Sequence, residues 1–290
     1  MDKKFTVVGI GEVLWDLLPD GKMLGGAPIN IAYHASQLGA VGVAISSVGG
    51  DELGREIMKS VDAKGVVNCI SENTHPTGTV GVTLKDGIAD YTIYENVAWD
   101  YIELTPESIN MLQQADAICF GTLAQRNKVS HDAIMTALKL VPEKCLKVYD
   151  INLRQKYYND DIISKSLLSS NVFKINDDEI ELFKHLFNIQ SNEVEVCQKI
   201  IKFYSIDYLA LTKGDKGSYL FWQDEISFMP TPVVDVEDTI GAGDSFTSAL
   251  VMGILNNLSL NQIHRKAVEI SAFVCTQKGA TPVLNESLLI

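Results

Sequence analysis

The chain has 290 residues, 46% of them hydrophobic and 21% charged, the range of a globular protein with a sizeable core. Its net charge is −13 and Lys and Arg form no run, which argues against sequence-independent binding to nucleic acid. No stretch is long and apolar enough to span a membrane, so neither membrane nor nucleic acid is an expected partner.

The five cysteines (Cys69, Cys119, Cys145, Cys197, Cys275) lie far apart and form no CxxC pair. They read as buried thiols of a reducing compartment rather than as a zinc or disulfide framework. The opening "MDKKFTVVGIGEVLWD" has too short an apolar run for a signal peptide, so the expected location is the cytoplasm.

In chain order, short apolar runs alternate with segments of helical spacing. Strand "FTVVGI" (5–10) precedes helix "NIAYHASQLG"; strand "VAISSVG" (43–49) precedes helix "ELGREIMKSVDAKG". The stretch "TGTVGVTLKDGIADYTIYENVAW" (77–99) instead alternates with period two and turns at "KDG" (85–87). It predicts a hairpin of a small antiparallel sheet that serves as an interface, a lid or both. Strands "DAICFG" (116–121), "LKVYDIN" (146–152), "VFKIN" (172–176) and "YLALTKG" (208–214) follow, among helices "SHDAIMTALKLV", "DEIELFKHLF" and "EVEVCQKIIKFY". A hairpin, "SYLFWQDEISFMP", and a final helix after "IGAGD" complete the pattern.

This alternation predicts an α/β fold: a doubly wound, mostly parallel sheet with helices on both faces, plus the antiparallel β lid. No linker divides the chain, so one domain is expected over residues 1–290. Ligands in such sheets bind at the carboxyl ends of the strands. The polar residues there are Glu12 and Asp16; Asp51; Thr122 and Gln125; Asp150, Asn152 and Arg154; Asn176 and Glu179; and Thr212, Lys213 and Gly214.

The common nucleotide signatures are missing: there is no GxxxxGK[ST], and "GIGEVL" lacks the third glycine of GxGxxG. Other motifs each admit two readings. "GGAPIN" (25–30) is a tight turn before a helix, or a backbone that lets a small polar substrate approach while Asn30 bonds its hydroxyls. "DINLR" (150–154) offers the fork of Arg154 to a hydroxyl-rich ligand or a phosphate. "NDDE" (176–179) is a helix cap, or Asn176 and Glu179 holding the waters of a magnesium ion. "TKGDKG" (212–217) is a turn or a nucleotide contact. "IGAGD" (240–244) is a turn with Asp244 as N-cap, or a carboxylate base beside an anion-binding helix terminus.

Taken together, "GGAPINIA…LG…VGGDELG", "DINLR", "NDDE", "TKGDKG" and "DTIGAGDSFTSAL" resemble, in order and over essentially the whole chain, the ribokinase-like PfkB sugar kinases. "GGAPIN" and "DINLR" resemble the fructokinase branch. The resemblance implies an ATP-dependent kinase phosphorylating a primary sugar hydroxyl, with D-fructose to fructose 6-phosphate as the expected reaction. A kinase for 2-keto-3-deoxygluconate, ribose or a riboside, or an inactive sugar-binding regulator, are the alternatives.

By the same resemblance Asp244 is the general base, and the amides of Gly241, Ala242 and Gly243 stabilise the transferring phosphoryl group. Asp16, Gly26, Asn30 and Arg154 hold the sugar together with Asp244. Asn176, Thr212, Gly214, Gly217 and Gly243 face ATP, with Mg²⁺ held through water near Asn176 and Glu179. Asp238 resembles a monovalent-cation carboxylate, with backbone oxygens of Ile240, Val274, Gln277 and Gly279 around K⁺. Lid segments are expected near 13–24 and 77–100, and the lid sheet is the surface through which a homodimer would form.

Overall fold

The first apolar run forms strand β1 (Thr6–Ile10), in which every residue is buried. Val7 packs into one apolar layer and Val8 into another, so β1 lies inside a sheet covered on both faces. The computed structural model describes residues 4–18, 21–85, 88–189 and 192–289. After β1 come β2 (Leu14–Leu18), β3 (Gly21–Gly25), β4 (Val41–Gly49), β5 (Val67–Asn73), β6 (Thr79–Lys85) and β7 (Ile88–Ile93). The remaining strands are β8 (Ala117–Phe120), β9 (Leu146–Asp150), β10 (Val172–Asn176), β11 (Tyr208–Thr212), β12 (Ser218–Trp222) and β13 (Glu225–Met229). The helices are α1 (Ala27–Gln37), α2 (Glu52–Ala63), α3 (Pro106–Leu112), α4 (Lys128–Leu140), α5 (Asp160–Leu168), α6 (Ile180–Phe187), α7 (Glu193–Tyr204), α8 (Ala242–Leu255) and α9 (Leu260–Cys275).

The large sheet has the order β13-β12-β11-β10-β9-β8-β1-β4-β5. From β5 to β11 all pairs are parallel; β12 and β13 add an antiparallel edge. The chain first grows from β1 toward β5, then returns to place β8 on the other side of β1. The strand order therefore reverses at β1/β8, where such sheets open a crevice. One face packs on α1, α8 and α9 through Ile31, Leu250 and Ile270; the other carries Ile134, Leu167, Phe183 and Ile200 of α4 to α7.

Helix α1 meets the sheet backbone to backbone. A Cβ at Gly9 would overlap the carbonyl of Pro28, and one at Gly42 would overlap that of Ala32. Side chains at either position would lift α1, and with it the residues it presents at the crevice.

The second sheet, in order β3-β2-β6-β7, consists of two antiparallel hairpins joined by a parallel β2/β6 pair. The hairpin expected over 77–99 is present as β6 and β7; of its turn, residues 86 and 87 lie outside the described residues, as do 19 and 20 of the segment 13–24. Both roots of the hairpin are fastened. Asp51 caps α2 through Gly54 N (2.8 Å) and accepts from the amide (2.9 Å) and hydroxyl (2.6 Å) of Thr77. Asp100 accepts from Arg126 at 2.7 and 2.9 Å, in a pair whose side chains are 2% and 6% exposed. The Arg126 guanidinium lies 3.9 Å from the Trp99 ring centroid and 4.7 Å from that of Tyr157.

All five cysteines are free thiols, and among the described residues no group of three or more His, Cys, Asp or Glu could hold a metal ion. No described helix is long and apolar enough to cross a membrane.

Candidate active site

Helix α8 starts inside the glycine loop, between Gly241 and Gly243. Its N-cap is Gly241, at φ 80°, and Asp244 stands in the first turn. A Cβ at Gly241 would lie 2.5 Å from Ala280 O, so this glycine is required by the neighbouring chain as well as by its dihedral. Asp244 makes no cap hydrogen bond. Its Oδ2 accepts from Asn30 Nδ2 of α1 at 2.8 Å. The capping reading of Asp244 is thereby set aside: the carboxylate points at another helix. Burial pushes its pKa up to about 6, against the Asn30 hydrogen bond and the charges of Lys174 and Arg154, while Asp150 adds to the rise.

The other residues expected at the sugar converge on the same place. Asp16 on β2 lies beside Gly25, where a Cβ would come within 2.5 Å of Oδ2. Burial raises its pKa to about 6 and Arg154 opposes the rise. Gly26, the N-cap of α1 at φ 120°, leaves no room for a Cβ against Glu12 O. Arg154 donates to Leu153 O (3.2 Å), and its charge lowers the pKa of Glu12, Asp16 and Asp244 alike.

The middle of β10 brings a cation. Lys174 and Asp150 are register partners on β10 and β9, and Lys174 Nζ donates to both carboxylate oxygens at 3.1 and 3.0 Å. Thr247 of α8 also donates to Asp150 (3.0 Å). A Cβ at Gly243 would lie 3.3 Å from Lys174 Nζ, so the ammonium sits directly behind the glycine loop. Burial disfavours that charge, but Asp150, Glu179 and Asp244 hold its pKa above the ordinary lysine value.

Farther along the sheet edge, Asn176 and Thr212 are register partners across β10 and β11. Asn176 Oδ1 accepts from the amides of Asp178 (3.0 Å) and Glu179 (2.8 Å); Glu179 accepts from Leu153 N (2.7 Å) and Asn176 N (3.0 Å). Both side chains thus brace the loop, and their further lone pairs suit bound water rather than direct chelation. Gly214 (φ 54°) has open space around it, whereas a Cβ at Gly217 would lie 2.5 Å from Met229 O. Gly217 is explained by β13.

The Asp238 loop is strapped to the end of α9. Asp238 accepts from Ile240 N (2.9 Å) and Gly279 N (3.1 Å), and Glu237 N donates to Cys275 O (2.9 Å). This brings Asp238, Ile240 and Gly279 together; Val274 O accepts from Gln277 N at 3.0 Å in the same strap. Three of the polar strand ends serve packing instead. Asp51 holds Thr77, Thr122 bonds Tyr149 (2.6 Å) and Ile151 O, and Gln125 bonds Ser166 (2.9 Å).

A family model described as pfkB family carbohydrate kinase matches residues 21–287, from β3 through the Asp244 helix to beyond α9. The chain belongs to the pfkB family of carbohydrate kinases. Among its relatives, an uncharacterized sugar kinase of Pyrococcus horikoshii is 28% identical over 97% of this chain and 94% of its own. Its crystal structure superposes with a TM-score of 0.82 at 26% identity, covering 95% of this chain and 93% of that one. Fructokinase-1 of Zea mays is also 28% identical, over 96% of this chain and 94% of its own. A fructokinase of Vibrio cholerae, solved with fructose, ADP and potassium ion, shares the fold at a TM-score of 0.80, covering 99% of this chain and 97% of that one at 21% identity.

Within this pfkB chain, two site residues were not singled out by motif. Lys174 is a lone charge in the apolar strand "VFKIN", and a charge in a sheet covered on both faces must have a partner. That signal was visible. Glu12 stood out only as one polar strand end among several.

Proposed function

We propose that this carbohydrate kinase transfers the γ-phosphoryl group of ATP to a primary hydroxyl of a small sugar, D-fructose giving fructose 6-phosphate. One observation carries the reading: Asp244, half-buried and turned from its own helix terminus, is held by Asn30 beside the first-turn amides of α8. With a pKa of about 6 the carboxylate is mostly ionised at neutral pH and strong enough to accept the hydroxyl proton. The sugar oxygen forms the new bond to phosphorus as the bond to the ADP oxygen breaks, and Asp244 keeps the proton. Negative charge shifting across the phosphoryl group meets the helix terminus and Lys174 behind it, which act by position alone. An intact base in this setting argues against an inactive sugar-binding regulator.

Mg²⁺ would neutralise charge on the ATP phosphates, and Asn176 and Glu179 would hold it through water. K⁺ would sit in the strap at Asp238. The small sheet would cover the sugar and provide the face for pairing with a second copy, and the protein would work in the cytoplasm. Fructose is favoured by "GGAPIN" and "DINLR" and by the plant fructokinases among the relatives. A coupled ADP-release assay over fructose, ribose, ribosides and 2-keto-3-deoxygluconate tests the choice. Fructose should give the highest kcat/KM; a faster rate with another acceptor would move the substrate and keep the kinase. No turnover with any would return the regulator.

A further inference from the structure

Two oxygens near the start of α1 are buried without a hydrogen-bond partner among the described residues: Glu12 Oε2 and Asn30 Oδ1. Glu12 itself is 5% exposed. Leaving a polar atom buried and unpaired is costly, most of all on a group that can ionise, so such atoms are rare unless something outside the chain completes them.

The two belong to one place. Glu12 follows β1, and its carbonyl lies against Gly26 at the start of α1. Asn30 stands one turn further along that helix and spends its Nδ2 on Asp244. The Glu12 carboxyl feels the charges of both Asp244 and Arg154. A purely structural role accounts for only part of the group. The amides of Glu12 and Ala27 favour its ionised form, which fits one oxygen fastened at the helix start and leaves Oε2 unused.

We propose that Glu12 is a substrate-binding residue whose Oε2 bonds a sugar hydroxyl other than the one phosphorylated, with Asn30 Oδ1 receiving a second. This deepens the kinase reading and rests on it. Such a ligand is a polyol presenting secondary hydroxyls beside its reacting hydroxymethyl group. Burial, reinforced by Asp244, raises the Glu12 pKa to about 7, so across neutral pH the carboxyl both accepts and donates, as a hydroxyl does.

The test is equilibrium binding of the sugar and its monodeoxy analogues by calorimetry, without ATP, alongside steady-state kinetics. Glu12→Ala should weaken binding of the parent sugar about 10- to 100-fold, the worth of a hydrogen bond to a charged group. The ATP KM should stay within about twofold. For one monodeoxy analogue the same substitution should add no further loss. Glu12→Gln, of the same shape, should keep the fold and restore part of the affinity. Equal losses on the parent and every analogue would overturn the proposal and leave Glu12 a brace for α1; unchanged affinity would assign Oε2 to water. Because binding is read without turnover, a sugar that binds but is not phosphorylated would sink the kinase reading while still testing Glu12.

Discussion

Asn30 and Asp244 stand 214 residues apart in the chain and 2.8 Å apart in the fold. The hydrogen bond favours the ionised form of a carboxylate whose pKa burial raises. Asp244→Asn should keep this contact and lower kcat by about 10²- to 10⁴-fold. Asn30→Ala should instead move the acidic limb of the kcat profile above its wild-type position near pH 6. A limb that stays put would mean Asn30 does not tune the base.

The same burial has a stability consequence of fixed sign. In the folded chain Asp244 has a pKa of about 6 against 3.8 in its unperturbed state, so folding binds a proton between these values. Its favourable contribution is present below about pH 4 and lost as pH rises through 6. Asp244→Asn should therefore be more stable than the wild type at pH 8, by up to about 3 kcal/mol, and nearly equal at pH 4. Urea unfolding at the two pH values measures the difference; a variant less stable at pH 8 would contradict the assignment.

Lys174 and Asp150, 9% and 6% exposed in their side chains, form a pair that neither can leave alone. Lys174→Met strands a buried carboxylate and should cost about 3–5 kcal/mol of stability. Adding Asp150→Asn should recover much of that cost. A double variant whose losses simply add would show that the two residues act independently.

The Asp238 strap joins the loop before α8 to the end of α9, so an ion there would act on loop geometry rather than on sugar binding. In buffer free of sodium and potassium, KCl should raise kcat more than it changes the sugar KM, and choline chloride should not. Asp238→Ala should abolish the response. The same activity with and without K⁺ would leave Asp238 as a loop fastener through Ile240 and Gly279.

Most of the large sheet was legible because its strands are short apolar runs that cannot be exposed on either face. β5, "VNCISEN", is less apparent because it is polar and half-buried at the edge. Asp244 could be found from its glycine loop, but its hydrogen bond to Asn30 could not. That contact requires α1 and α8 to lie side by side on one face, a property of the topology. Lys174 announced a need for a counter-charge; that Asp150 meets it follows from the β9/β10 register, which no local pattern states. Gly217 and Gly241 look alike in sequence as ligand-approach positions, yet each is also dictated by a backbone carbonyl across the fold, at Met229 and Ala280.

The two clamps at the roots of the hairpin, Asp51 on Thr77 and Asp100 on Arg126, bear on what closure over a ligand would cost. A strip of chain fastened at both ends before any ligand arrives has already surrendered much of its conformational freedom. Less remains to be lost on binding, so more of the contact energy shows as affinity. Amide exchange should show protection at Thr77, whose amide donates to Asp51, and at Asp100, whose amide donates to Val97 O.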